Sequence, residues 1–390
     1  MYLFQQRFSA DPPAGSATVT RQPLRLLLVT PRFPPYIGGV ENHVYQVARR
    51  IARSGLDVTV LTTDPTGRLS PAETSDGVLI RRVRAFPQGR DYYFAPAIYG
   101  AITQGKWDLV HVQSYHTLVA PLAMLAARRA HIPYVVTFHG GGHSSRFRNV
   151  FRGAQRAFLR PLLARAERLV VLANFERKTF ESLGLPPEKF VLIPNGSDLP
   201  MVARADGAAV EKMRIVSIGR LEKYKGHHRV LSAFPKVLEQ EPEARLWIAG
   251  EGPFRPHLER LAQELGVADR VEIRAIPAGD REGMAAELSQ AALVVLLSEY
   301  ETQPIAILEA LALGRPVLLA DTSGLQELAA RGLARAVPLN SAPDEIAAAV
   351  LESLRQPLQP PPFHLPSWDD CAASLMALYR SIVEGRTCAS

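Results

Sequence analysis

The chain has few of the features that mark secreted, membrane-spanning or metal-dependent proteins. Its 390 residues include only two cysteines, Cys371 and Cys388. These form neither a disulfide framework nor a metal-ligand spacing, so a reducing cytoplasm is the simplest compartment. The N-terminus lacks a basic start followed by a long apolar core, so no signal peptide is expected. No apolar run approaches the roughly 18–20 residues that a bilayer-spanning helix needs.

Several short catalytic motifs are absent as well. There is no GxxxxGK[ST] loop and no GxGxxG fingerprint, so ATP hydrolysis of the P-loop type is not expected. HExxH is missing, and no serine lies in a GxSxG turn. A metalloprotease or an α/β-hydrolase of the usual kind is therefore not indicated.

The composition is that of a globular protein with two domains. Hydrophobic residues make up 47% and charged residues 21% of the chain, which argues against disorder, and the length exceeds one typical core. Residues 1–200 carry 25 Lys and Arg against 13 Asp and Glu, a balance of +12, whereas residues 201–390 carry 20 against 25, a balance of −5. The basic half favours nucleic acid, an anionic membrane surface or an anionic substrate.

Short apolar runs alternate with helical patterns in both halves of the chain. This alternation predicts an α/β fold with two doubly wound parallel sheets, right-handed crossovers and a cleft between the domains. The predicted strands are 24–30, 58–61, 109–112, 134–138 and 169–173, then 214–218, 245–249, 271–274, 293–297 and 317–320, with helical patterns between them such as 40–53 and 117–130.

The domain boundaries follow the breaks in this pattern. We predict a loose tail at 1–22, an N-terminal domain at 23–196, a polar linker at 197–212, a C-terminal domain at 213–362 and a last helix within 363–390. Ser367 opens that helix, because Asp370 three residues later gives a near-match to a capping box.

The stretch EYETQPIAILEALALGRPV places two carboxylates at one edge of the second sheet. Pro304 suits the start of a helix and Gly314 its end. Glu301 then lies in the loop at the carboxyl end of a strand, where open α/β sheets bind ligands, and Glu309 lies inside the helix. A buried carboxylate is costly unless it is hydrogen-bonded. Glu309 therefore bonds either a backbone amide or the hydroxyl groups of a ligand.

Other candidate ligand residues follow neighbouring strands. IGRLEKYKG places Arg220 and Lys225 where they can clamp a diphosphate, although two solvated surface cations are the simpler alternative. The glycines of GGVE at 38–41 allow a close approach of the backbone to a ligand, or make an ordinary turn. His139, beside three glycines in TFHGGG, is expected to face the cleft.

Together these motifs resemble the retaining glycosyltransferases of family 4. The resemblance covers roughly residues 24–385 and rests on YIGGVE, IPNGSD, GRLEKYKG, IAGEGP and the Glu301/Glu309 pair, in that order. It implies the GT-B fold, in which two Rossmann-like domains face a cleft, and a final helix that crosses back onto the N-terminal domain. It also implies an enzyme that moves a sugar from a nucleotide-diphosphate sugar to an acceptor.

The resemblance implies a role for each site residue. Arg220 and Lys225 would hold the donor diphosphate, Glu301 and His139 would contact the transferred sugar, and Glu309 would bond the ribose. The further donor-binding residues implied are Gly38, Gly39, Gly219, Gly250, Glu251, Ile276, Thr302, Gln303, Pro304 and Ile305. No metal or other cofactor is expected, because members of the family look metal-independent and no DxD motif lies near the site.

The implied mechanism follows from charge. The leaving nucleoside diphosphate gains negative charge as the glycosidic bond breaks, so fixed cations stabilise the transition state more than the ground state. A front-face step, in which a leaving-group oxygen helps to deprotonate the acceptor, is the usual proposal for retention, and no enzyme nucleophile is evident. The family usually has Gly or Pro, then Phe, then Gly after the first Glu. Thr302, Gln303 and Pro304 stand there instead, which leaves the donor sugar unassigned.

The acceptor side is predicted from segment 146–168. Arg148, Arg152, Arg156 and Arg160 are spaced by four, so one helix face would carry four cations. Such a helix lies on an anionic membrane, or it is a solvated helix that packs its apolar side on the sheet. We expect a lipid-linked acceptor or another glycan precursor at the inner face of the plasma membrane, with a soluble small-molecule acceptor as the alternative. No nucleic-acid-binding module is present.

Other classes of function remain open on this fold. A binding or regulatory protein without turnover is disfavoured by the intact Arg220, Lys225, Glu301 and Glu309. A phosphorylase should show a pyridoxal-phosphate lysine motif, which is not seen. An epimerase would form product from nucleotide sugar alone, without an acceptor.

Overall fold

The computed structural model describes residues 23–36, 38–87, 94–140, 146–200, 213–277, 279–359, 361 and 363–387, with the backbone alone for 146–154. These residues form two sheets with helices on their faces. The first sheet contains β1 (Arg25–Val29), β2 (Asp57–Asp64), β3 (Ala72–Ser75), β4 (Val78–Arg84), β5 (Leu109–Gln113), β6 (Tyr134–Thr137), β7 (Arg168–Val171) and β8 (Phe190–Leu192). Its helices are α1 (Gly39–Arg53), α2 (Ala97–Thr103), α3 (Val119–Arg129), α4 (Arg146–Leu163) and α5 (Asn174–Glu181).

The second sheet follows in the chain. Its strands are β9 (Arg214–Ile218), β10 (Arg245–Ala249), β11 (Val271–Arg274), β12 (Leu293–Leu296), β13 (Val317–Ala320) and β14 (Arg335–Val337). The helices are α6 (His227–Gln240), α7 (Arg255–Glu264), α8 (Arg281–Ser289), α9 (Ile305–Ala312), α10 (Leu325–Ala330), α11 (Pro343–Arg355) and α12 (Trp368–Thr387).

The strand order of each sheet creates a crevice at its carboxyl edge. The first sheet runs β3-β4-β2-β1-β5-β6-β7-β8 and is parallel except for the β3–β4 pair. The second runs β11-β10-β9-β12-β13-β14 and is parallel throughout. The order reverses at β9, so the ends of β9 and β12 flank the switch point where open sheets bind ligands. The α/β prediction with two doubly wound sheets is confirmed.

Four strands lie outside those that the sequence predicted: β3, β4, β8 and β14. All of β3 is exposed, and β4 alternates buried and exposed residues with arginines among them. Neither strand gives the continuous apolar run of a strand that is buried on both faces. The two remaining strands have only three residues each, which is too short for a pattern to emerge.

The last helix belongs in space to the first sheet. Trp368, Leu375 and Tyr379 of α12 are buried in the core cluster that also contains residues of β1 and α1. The helix begins as the sequence predicted: Ser367 N–H donates to Asp370 Oδ2 at 2.9 Å, and Asp370 N–H donates to Ser367 Oγ at 3.1 Å. The chain therefore crosses between the two sheets twice, once before β9 and once before α12.

Among the described residues, no helix combines the length and the apolar character needed to cross a membrane. The described side chains of α4 are divided between the core and the surface. Leu159 and Leu163 are buried in the core of the first sheet, whereas Phe158 is 78% exposed. The described part of α4 therefore packs two leucines on the domain and leaves one large aromatic group exposed.

Candidate active site

The loops after β9 and β10 are built on close backbone contact. Gly219 adopts φ +147°, and a Cβ at Gly250 would lie 1.9 Å from the Gly219 carbonyl oxygen. Leu221 N–H donates to the Glu251 carbonyl at 2.8 Å. The two loops therefore fit together only with glycine at position 250. Gly219, Gly250 and Glu251 shape the carboxyl edge of the sheet mainly through their backbones.

An ion pair lies at the switch point between β9 and β12. Lys225 Nζ is 2.5 Å from Glu301 Oε1, and the side chains are only 17% and 10% exposed. Ser298 Oγ donates to the same carboxylate oxygen at 2.8 Å. Burial acts to lower the pKa of Lys225, but the Glu301 carboxylate outweighs it and raises that pKa above its usual value. Lys225 is therefore a fixed cation at the edge where a ligand would bind.

Arg220 lies nearer to solvent than Lys225. Its side chain is 58% exposed, and its Nη2 is 3.3 Å from Glu222 Oε1. The carbonyl of Arg220 is 3.2 Å from His227 Nε2 at the start of α6. The backbone of this loop is thus held in place while the guanidinium remains accessible.

Glu309 is bound differently from either expectation. It is buried in α9, and its Oε1 accepts hydrogen bonds from Ser197 Oγ and from the Arg281 guanidinium. Burial raises its pKa, although Arg281 opposes the shift. Arg281 also lies 3.3 Å from Asp198. Residues 197 and 198, which the sequence assigned to a linker, therefore contact the second sheet's helices next to the candidate site.

The loop that follows Glu301 faces the first sheet. Thr302 Oγ1 donates to the Gly140 carbonyl at 2.7 Å, and Gln303 Oε1 accepts from Asn195 N–H at 2.7 Å. Pro304 directly precedes α9, and Ile305 packs against the core that contains α1. The backbone N–H groups of Thr302 and Gln303 bond to no residue within the described ranges.

His139 lies on the opposite side of the cleft, in the loop after β6. It adopts φ +45°, an uncommon backbone conformation for a residue other than glycine. Its Nε2 is 2.7 Å from Gln113 Oε1, and its ring centroid is 4.5 Å from that of His43. Burial, followed by the neighbouring His43, holds the pKa of His139 well below its usual value. The imidazole is therefore neutral, with Nε2–H donating to Gln113.

A buried polar network supports this histidine. Gln113 Nε2 is 3.2 Å from His111 Nδ1, which also lies 2.6 Å from the Tyr379 hydroxyl of α12. His111 Nε2 is 2.7 Å from Thr137 Oγ1. One set of protons satisfies every contact: Tyr379 and Gln113 donate to Nδ1, and Nε2–H donates to Thr137. Burial, with His43 nearby, lowers the pKa of His111 to about 3.

His43 of α1 lies beside His139. Its Nδ1 is 2.7 Å from Asn195 Oδ1, and its Nε2 is buried without a hydrogen-bond partner among the described residues. Burial lowers its pKa to about 4, although the Asn195 bond opposes the shift. Asn195 lies in IPNGSD, a motif that the sequence carried without an evident role. His43, His111 and Gln113 were missed, because single polar residues in apolar segments give no local pattern.

The remaining predicted donor residues lie around the cleft edges. Gly38 has an extended backbone just before α1, and no atom lies within 4 Å of a Cβ built on Gly39. A Cβ on Gly38 would instead lie 2.2 Å from Glu41 Oε2, so the space at the start of α1 is open at Gly39 only. Ile276 follows β11 and packs against the core of the second sheet.

The predicted four-arginine face is described only in part. Arg148 and Arg152 lie where the structure describes no side chains. Arg160 donates to the Leu183 carbonyl at 2.7 Å and, at 3.3 Å, to that of Gly184. Arg160 is therefore committed in part to the adjoining loop, and Arg156 is half-buried.

Two further features lie apart from these residues. A cavity of about 450 Å³ lies beside β10 and is lined by Arg214, Trp247, Arg274 and Glu287 among others, but by none of the predicted site residues. Within the described ranges, no group of three or more His, Cys, Asp or Glu is arranged to hold a metal ion.

Two Rossmann-like sheets that meet across a cleft at their carboxyl edges define the GT-B class, and solved structures share this fold. Sucrose-phosphate synthase from Thermosynechococcus elongatus superposes with a TM-score of 0.72 at 20% identity, over 94% of this chain and 100% of that one. Anabaena HepE, in complex with UDP-glucose, superposes with a TM-score of 0.66 at 16% identity, over 94% and 100%.

The sequence narrows the class to a family. Residues 37–200 match the model described as Glycosyltransferase Family 4, and residues 203–362 match Glycosyl transferases group 1. The chain therefore belongs to the family 4 glycosyltransferases, as the sequence motifs indicated, and it is an enzyme that uses a nucleotide-sugar donor.

Two relatives illustrate the range of the family. The GDP-mannose:cellobiosyl-diphosphopolyprenol alpha-mannosyltransferase of Xanthomonas oryzae pv. oryzae is 29% identical over 339 residues, which span 85% of this chain and 87% of that protein. The D-inositol 3-phosphate glycosyltransferase 1 of Catenulispora acidiphila is 28% identical over 389 residues, which span 89% and 92%.

Proposed function

We propose that the protein transfers a sugar, with retention of anomeric configuration, from a nucleoside-diphosphate sugar to a phosphate-bearing acceptor, most simply a lipid-linked one at a membrane surface. The observation that carries the donor half is the Lys225–Glu301 pair at the switch point between β9 and β12. A half-buried cation at that edge, next to an exposed arginine, suits a diphosphate.

The proposed chemistry places charge where the leaving group develops it. The bond between the anomeric carbon and the β-phosphate oxygen breaks, and a bond to the acceptor oxygen forms on the same face of the sugar. The acceptor proton passes to the leaving phosphate oxygen. Lys225 and Arg220 stabilise the departing diphosphate. In this proposal these two side chains, and not a metal ion, neutralise its developing charge. The start of α9 adds backbone N–H groups on the same side.

The sugar and ribose hydroxyls are assigned to the remaining polar groups. Glu301 lies beside Lys225 and is positioned to accept a hydrogen bond from a sugar hydroxyl. His139 approaches from the opposite side, where its Nδ1 makes no bond to a described residue. Glu309 is assigned to the ribose in this proposal, because Ser197 and Arg281 both bond its Oε1 and its Oε2 makes no bond to a described residue.

The acceptor half rests on charge and on the names of two relatives. One relative acts on a diphosphopolyprenol and the other on an inositol phosphate, and both acceptors are anionic. The first half of this chain carries the +12 balance. On its surface α3 and α4 pack together and expose Leu125 (47%) and Phe158 (78%). Basic residues beside exposed apolar groups favour an anionic bilayer.

The donor is tested first, by a thermal-shift screen against UDP, GDP, ADP and dTDP. A ligand that binds the folded state raises the melting temperature by an amount that grows with the logarithm of its concentration over Kd. We expect one nucleotide to stabilise the wild type and to lose its effect in Lys225→Ala. If none of the four nucleotides raises the melting temperature, the donor site loses its support.

The membrane assignment has its own test, by co-sedimentation with vesicles that contain anionic lipid. We expect Leu125→Ser/Phe158→Ser to bind less than wild type, and binding to fall as salt rises. Leu79→Ser removes a comparably exposed leucine (40%) from β4 and serves as the control. If wild type and double variant both stay in the supernatant when the vesicles sediment, a soluble phosphorylated acceptor becomes the better assignment.

A further inference from the structure

Thr302 and Gln303, which replace the usual residues of the family, both direct their side chains to the first sheet. The Thr302 hydroxyl donates to the Gly140 carbonyl at 2.7 Å, and this side chain is buried. Gln303 Oε1 accepts from Asn195 N–H, also at 2.7 Å. Their polar atoms are thus engaged across the cleft, between loops more than 100 positions apart in the sequence.

The receiving side is shaped for the Thr302 contact. Gly140 N–H donates to Glu176 Oε1 at 2.7 Å, and Glu176 Oε2 accepts from Leu172 N–H at 2.9 Å. A Cβ on Gly140 would lie 2.6 Å from Thr302 Oγ1 and 2.7 Å from Glu176 Oε1. Position 140 therefore leaves no room for a side chain while the threonine and the carboxylate occupy their places.

These contacts link the two halves of the candidate site. Gly140 directly follows His139, and Thr302 directly follows Glu301, which pairs with Lys225. The second tie reaches the same histidine, because the Asn195 side chain bonds His43, whose ring lies against that of His139.

We propose that Thr302 and Gln303 are positioning residues whose side chains hold His139 at a fixed place across the cleft from the Lys225–Glu301 pair. Their backbone N–H groups remain for the donor. The inference rests on the proposed function, because it takes His139 to contact the transferred sugar. A displaced contact to the reacting sugar lowers the rate of transfer, whereas Lys225 and Arg220, the cations that we assign to the diphosphate, do not depend on these contacts.

The test compares two substitutions at one position. Thr302→Val removes the hydroxyl at nearly constant shape, and Thr302→Ser keeps it. We expect Thr302→Val to lower kcat by about five- to tenfold, the usual net effect of one hydrogen bond, with unchanged affinity for the nucleoside diphosphate. Thr302→Ser should stay near wild type. Thr103→Val is the matched control, since the Thr103 hydroxyl donates to the Tyr99 carbonyl at 3.0 Å within α2.

A second measurement does not depend on turnover. In hydrogen exchange, the Gly140 amide should exchange faster in Thr302→Val than in wild type or Thr302→Ser. The Gly140 carbonyl loses its hydrogen bond from Thr302 in that variant, so the loop that carries Gly140 opens more often. Gln303→Leu should likewise lower kcat while leaving nucleotide affinity unchanged.

The outcomes separate the inference from the proposed function. If wild type binds a nucleotide and Thr302→Val retains full kcat and unchanged exchange, the positioning role is wrong and the donor site stands. If Thr302→Val and Thr302→Ser lose kcat equally, the hydroxyl is not the cause and the inference fails. If wild type binds no nucleotide, the proposed function fails. The exchange of the Gly140 amide then still decides whether the Thr302 hydroxyl holds the Gly140 loop in place.

Discussion

The two sides of the cleft differ in whether they present charged groups, and the net charges of the two halves of the chain do not predict this difference. The basic first half presents His43 and His139, whose pKa values are lowered by burial, so both imidazoles are neutral. The second half, which has more acidic than basic residues, presents Lys225 paired with Glu301. Site charge is therefore set by a few side chains at strand ends, and the net charge of a domain acts on its outer surface.

The largest expected effect comes from removing the charged side. Lys225→Ala takes away the half-buried cation that we assign to the leaving diphosphate, so kcat should fall by about 10²–10³-fold. Lys223→Ala, in the same short helical turn but exposed, should behave as wild type. The readout is transfer from the donor identified by thermal shift. Equal losses in both variants would contradict the distinction between buried and surface cations.

The buried neutral histidines should make the stability of the protein fall at acidic pH. His43 and His111 have folded-state pKa values of about 4 and about 3, against an ordinary 6.5. The unfolded chain therefore binds protons first, and stability is lost as the pH falls from about 6.5 towards 4. The shifts correspond to about 3 kcal/mol for His43 and about 5 kcal/mol for His111, present at neutral pH and lost in full below the folded-state pKa values. Melting temperature against pH measures this loss, and His43→Gln should flatten the curve; a wild-type curve level down to pH 4 would argue against neutral buried histidines.

A smaller effect is expected when the sugar contact on the neutral side is removed. His139→Ala should lower kcat by about tenfold, the loss of one hydrogen bond to a substrate, without changing nucleotide affinity. Steady-state kinetics with parallel binding measurements separates the two quantities. His257→Ala, an exposed histidine on α7, is the control. Weakened nucleotide binding in His139→Ala would contradict the assignment of His139 to the sugar alone.

The last prediction concerns Glu176, the one carboxylate that we place at the neutral side. Burial raises its pKa to about 7 in the folded state, against an ordinary 4.5. The folded state therefore binds the proton more tightly, and stability falls as the pH rises from about 4.5 to 7, the opposite sign to the histidines. Glu176→Gln should remove this limb from the melting curve. An unchanged limb in the variant would assign the slope to another group.

The sequence indicated the strands and the charged side of the site better than the neutral side. β9, β10 and β13 have the predicted ends, because strands buried in a parallel sheet give continuous apolar runs. β4 was not predicted, because it contains Arg82. This arginine is buried in an ion pair with Glu73, and no local sequence pattern indicates that pair.

The site followed the same division. Lys225 and Glu301 each follow a strand, so their meeting at one sheet edge could be predicted. Glu309 shows the limit, because its partners Ser197 and Arg281 come from segments distant in the chain. Only the fold brings those three residues together.

The position of α12 has a consequence for biosynthesis. The second sheet is complete once β14 has been made, but the first sheet receives Trp368, Leu375 and Tyr379 only when the last part of the chain emerges. Domains usually fold in the order of their synthesis. Here the N-terminal domain, although translated first, waits for the end of the chain, and His111 stays without its tyrosine partner until then. A chain that has emerged from the ribosome only as far as residue 367 should therefore carry a finished second domain and an unfinished first one.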